Sequence, residues 1–105
     1  MKAKVYINQR SLAGYLWEDE EGFHFLYELN YIDAPVGGPV SLTLPVRREA
    51  YHSDVLFPFF DGLIPEGWLL QIVEKNWKLN PGNRMELLLA TGRNCIGNVS
   101  VIGYE

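Results

Sequence analysis

Hydrophobic and polar positions alternate from the start of the chain. In residues 3 to 8, AKVYIN, Val5 and Ile7 fall on one face of an extended backbone, Lys4 and Tyr6 on the other. The polar turn Asn8-Gln9-Arg10-Ser11 follows. A second run, LAGYLW at 12 to 17, contains Gly14, which marks a bulge or a close backbone approach. The acidic turn Asp19-Glu20-Glu21-Gly22 leads into FHFLYE at 23 to 28, which sets Phe23, Phe25 and Tyr27 on one face. Three alternating runs joined by tight turns predict an antiparallel meander. Residues 29 to 39, with Pro35, Gly37, Gly38 and Pro39, read as a loop. VSLTL at 40 to 44 reads as a further strand stopped by Pro45, and 46 to 53 as irregular.

The period then changes. Asp54 is placed to cap a short helix through Phe60. Such a helix cannot bury Phe57, Phe59 and Phe60 all on one side. Pro65 suits the first turn of a second helix, with Glu66 at the positive end of its dipole. Leu69, Ile72, Val73 and Asn76 share one face of that helix, and Asn80-Pro81-Gly82 ends it. Asn83 caps a third helix that turns Met85, Leu88 and Leu89 to the core and exits at Gly92; NVSVI at 98 to 102 is a closing strand. Strands followed by helices define an α+β class: a small antiparallel sheet, built from the N-terminal meander and the C-terminal strand, packed with two to three short helices. The 105 residues fit one domain, 1–105, with no repeat or linker.

Composition narrows the function. Hydrophobic residues make up 48% and aromatics 13%, enough for a packed core and against disorder. The net charge of −4 disfavours direct binding to a phosphate backbone, and Arg47-Arg48 reads as a solvated loop. A lone cysteine, Cys95, excludes an internal disulfide and a thiolate zinc cluster. With neither a signal-like apolar run at the N-terminus nor a membrane-length stretch, the expected compartment is the cytoplasm.

No constellation of side chains meets the tests for catalysis. His24 and His52 are far apart in sequence, and His24, opposite Phe23 and Phe25, is expected to face solvent; no metal and no cofactor are assigned. Cys95, near Arg93, is expected to be a small buried hydrophobe. The glycines at 92 and 97 lack the Gly-Lys-Ser/Thr ending of a phosphate loop. Asp19, Glu20 and Glu21 read as solvated turn charges. Aromatics are the excess. Trp68 and Trp77 fall on opposite edges of the second helix's apolar stripe, where an indole either completes the core or stands half exposed as an interface anchor.

Four segments in register resemble the N-terminal subdomain of the HipA family of toxin kinases. VYINQRSLAGYLWEDEEGFHFLYELNYI is similar to the family's opening and GPVSLTLPVRREAY to its Ser-x-Ser-Leu-Pro stretch. FFDGLIPEGW is similar to its Phe-Phe-x-Asn-Leu-Leu-Pro-Glu-Gly motif, and GRNCIGNVSV to its Gly-x-Asp-x-x-Gly-Ala-Val close. Asp61-Gly62 and Asn94 depart from the usual asparagine and aspartate. The family's ATP loop, catalytic aspartate and metal ligands lie beyond the matching region, and the chain ends at Glu105, so the resemblance implies no enzyme activity. Split systems of this family pair a small front-subdomain antitoxin, HipS, with a shortened kinase, HipT, and a DNA-binding protein, HipB. The resemblance therefore implies a HipS-like antitoxin that docks on the core of a HipT-like kinase, with a HipB-like protein in a ternary complex. Its alternative is a non-inhibitory structural or activating subunit. The expected contact comprises Phe59, Asp61, Ile64, Pro65, Glu66, Trp68 and Gln71, with Trp68 as leading anchor.

Overall fold

The computed structural model describes residues 1–8, 10–35, 37–64, 83–91 and 98–104. The predicted helix from Pro65 to Trp77, its break at 80–82, Glu66, Trp68 and Gln71, and Cys95 with its flanking glycines lie outside these residues.

The meander forms as its alternation predicts. Strands β1 (Lys2–Ile7), β2 (Ser11–Asp19) and β3 (Gly22–Tyr27) pair antiparallel in succession. Strand β5 (Val99–Tyr104) pairs with the free side of β1, and β4 (Tyr51–Ser53) with the free side of β3. The resulting five-stranded sheet has the order β4-β3-β2-β1-β5. Opposite Val5 and Tyr6 the register of β2 slips, so that Ala13 is left as a bulge beside Gly14. A Cβ on Gly14 would lie 2.5 Å from the Leu26 carbonyl oxygen, so both expectations for this glycine hold together.

One face of the sheet is the core. Ala3, Val5, Ile7, Leu16, Phe23, Phe25, Tyr27, Val99 and Val101 are buried there. Helices α2 (Pro58–Asp61) and α3 (Arg84–Thr91) pack into this core, contributing Phe60 from α2 and Met85, Leu87 and Leu88 from α3. Asn83 caps α3 as predicted: its Oδ1 accepts from the Glu86 backbone N–H at 3.1 Å. The α+β architecture, with its antiparallel sheet and short helices, is as the periodicity indicates.

Four local expectations are corrected. The loop assigned to 29–39 opens with a short helix, α1 (Leu29–Asp33), because the Glu28 carboxylate takes the Asn30 N–H at 2.7 Å and caps it. Residues 40–44 do not form a strand; Ser41 and Leu44 close a turn. Here the Tyr27 hydroxyl donates to the Leu44 carbonyl and accepts from the Val40 N–H, taking the backbone groups that a ladder would use. Within 46–53, read as irregular, lies β4. Asp54 caps nothing: α2 starts at Pro58, whose missing N–H suits a first turn, with Phe57 at the cap and no side-chain bond.

Candidate functional site

Three of the seven predicted contact residues are described, and α2 and the turn after it position them. Phe60 and Phe57 point into the core, where the Phe60 ring meets those of Phe25 at 5.4 Å and Phe57 at 6.3 Å between centroids. The third phenylalanine has no room there. Phe59 stays half-buried, edge-on to Phe60 at 5.2 Å. Asp61 closes the helix and accepts from Arg84 Nε at 2.7 Å, tying α2 to the start of α3. Both side chains are about two-fifths exposed, so water screens the pair and its main effect is to set orientation. Ile64 packs inward, 8% exposed, within the core cluster. Phe59 and Asp61 are therefore both partly open to solvent, while Ile64 belongs to the core.

A second cluster lies on the other face of the sheet. The β3–β4 register sets His24 directly opposite His52, with their Nδ1 atoms 2.5 Å apart. The other nitrogen of His24, Nε2, is 2.7 Å from Asp19 Oδ1. That carboxylate also takes the Glu21 N–H at 2.9 Å. These two bonds, the His24 one foremost, hold the Asp19 carboxyl below its ordinary range. The Trp17 ring stacks on His24 at 5.2 Å between centroids. The expectation of a solvent-facing His24 is thus corrected. The side chain leaves the sheet on the predicted face, but Trp17, Asp19 and His52 cover it, and only 4% is exposed. Its sequence signal was hidden, because β4 has three residues, too few to display alternation. Among the described residues, no three His, Cys, Asp or Glu side chains converge on one metal position.

Arg47 is an exposed loop residue, as expected. Its guanidinium lies 3.7 Å from the centre of the Tyr51 ring and donates to the Glu49 and Ala50 carbonyls. No helix among the described residues is long and apolar enough to cross a membrane.

Comparison with known proteins agrees with the four-segment resemblance. The HipA N-terminal domain family matches residues 3–102. A solved N-terminal domain of HipA toxin superposes with a TM-score of 0.72 at 35% identity, covering 99% of this chain and 92% of that one. An uncharacterised protein of Haemophilus influenzae is 39% identical over 88 residues, 84% of this chain and 79% of its own length.

Proposed function

Because this chain belongs to the family of HipA N-terminal domains, we propose that it is an antitoxin that binds a HipA-like serine/threonine kinase of the HipT type and holds it inactive. It docks on the catalytic core of that toxin in the cytoplasm and performs no catalysis of its own. A HipB-like DNA-binding protein is the third member of the complex. The observation that carries this reading is the match of nearly the whole chain to a toxin's N-terminal domain.

The physical basis is complementarity restored in trans. A subdomain joined covalently to its core meets it at an effective concentration in the millimolar range. As separate chains, the two surfaces associate only as far as their affinity and amounts allow, so inhibition becomes adjustable. The contact we propose runs from Phe59, Asp61 and Ile64 through Pro65 and Glu66 to Trp68 and Gln71. The half-buried Phe59 ring, packed edge-on to Phe60, supports its first part. Trp68 is the anchor: an indole set at the edge of the kinase cleft obstructs substrate or holds the lobes apart.

The test is purification of the tagged chain from its native cells, followed by a kinase assay of the co-eluting partner with and without it. The expected result is a near-stoichiometric HipA-like kinase whose activity falls when the chain is added. Trp68→Ala should weaken the complex by about 2 kcal/mol or more without loss of folding. Unchanged or raised kinase activity would instead identify a structural or activating subunit.

A further inference from the structure

The pair of histidines between β3 and β4 sets two imidazole nitrogens against each other beside a carboxylate. We propose that His24 and His52, backed by Asp19, bind a divalent transition metal of the zinc or nickel class through their Nδ1 atoms. The argument begins with the tautomer. Asp19 accepts from Nε2 of His24, so the proton of a neutral His24 ring resides there. Its Nδ1 is then a bare lone pair aimed at His52. Metal-ligating histidines are held in this manner, one nitrogen free for the metal and the other donated to a carboxylate.

The surroundings complete the case. Trp17 stacks on the His24 ring and fixes its plane. Asp19 also takes the Glu21 N–H beside its bond to His24, and Glu20 and Glu21 continue the acidic turn. Two imidazoles without an oxygen cage suit zinc, nickel or copper and not magnesium or calcium. Zinc–nitrogen bonds of about 2.0–2.1 Å at a tetrahedral angle place two ligand nitrogens about 3.3 Å apart. The present separation is 2.5 Å, and His52 is the exposed member, on a three-residue edge strand, so a small outward turn of its ring admits the ion. The remaining coordination positions of such an ion would be taken by water or by a side chain of a bound protein. The metal would clip β4 to β3 across 28 residues of sequence.

Zinc chloride titrated into the full chain, followed by calorimetry and thermal unfolding, tests this. A Cys95→Ser background removes the sole thiol as a competing ligand. Saturable binding at one ion per chain is expected, with a raised unfolding midpoint. His52→Ala, at an exposed edge position, should fold and lose the binding. Asp19→Asn should weaken it about 10–100-fold while leaving both ligands in place. Absence of saturable zinc binding would overturn the proposal, as would binding unaffected by His52→Ala; the histidines would then be a hydrogen-bonded pair only.

Discussion

The Tyr27 hydroxyl organises a stretch of chain that carries no regular structure. It holds the Val40 N–H and the Leu44 carbonyl, while Tyr31 does the same for Gly37 and Gly38. Burial pushes the Tyr27 hydroxyl from 10.0 up to about 12, with the Val40 N–H opposing the shift. A folded value above the unfolded one means that its contribution is complete below pH 10.0 and is lost as pH rises through about 12. That contribution amounts to about 3 kcal/mol. Tyr27→Phe should therefore flatten the alkaline fall in stability, measured by denaturant unfolding from neutral pH upward. At neutral pH it should lower stability by about 1–3 kcal/mol, because two buried backbone groups lose their partner. Gly22 shows the opposite kind of residue, one defined by what it lacks. With φ at +123° and the Ser53 carbonyl oxygen 2.5 Å from where a Cβ would sit, it both turns the β2–β3 hairpin and lets β4 approach.

Among the elements, α3 was the most legible. Its asparagine cap and its apolar positions are local signals: Met85 and Leu88 are fully buried as expected, while Leu89 is only partly buried and Leu87 takes the core position beside them. Asn83→Ala should cost about 1 kcal/mol, read as a lowered urea midpoint at unchanged slope. Strand β4 was the least legible. Nothing in Tyr-His-Ser marks a strand; pairing with Phe23–Phe25 makes it one. The misread segment at 40–44 fails for a related reason. Val40 and Leu44 are buried, yet their backbone partners are a tyrosine hydroxyl and a turn. Leu42 between them is 93% exposed.

Among the described residues, one sheet face and the helices α2 and α3 supply the main core, so single core positions carry a large share of stability. Phe60→Ala should cost about 3–5 kcal/mol by thermal or chemical unfolding, a large fraction of the ~5–15 kcal/mol typical of a domain. Phe59→Ala, at the half-buried neighbour, should cost much less. If Phe59 belongs to the proposed contact, that substitution shows its effect in kinase binding instead. The amino-acid sequence by itself determined the meander, the facing of β1 and β3, the cap of α3, and membership of the HipA N-terminal domain family. These follow from periodicity, capping and motif order, which are written in neighbouring residues. Only the tertiary structure decided that His24 is buried, that β4 exists and that Tyr27 anchors 40–44. Each of these depends on at least one partner that the chain brings from 13 to 30 residues away, where no local pattern reports which groups will meet.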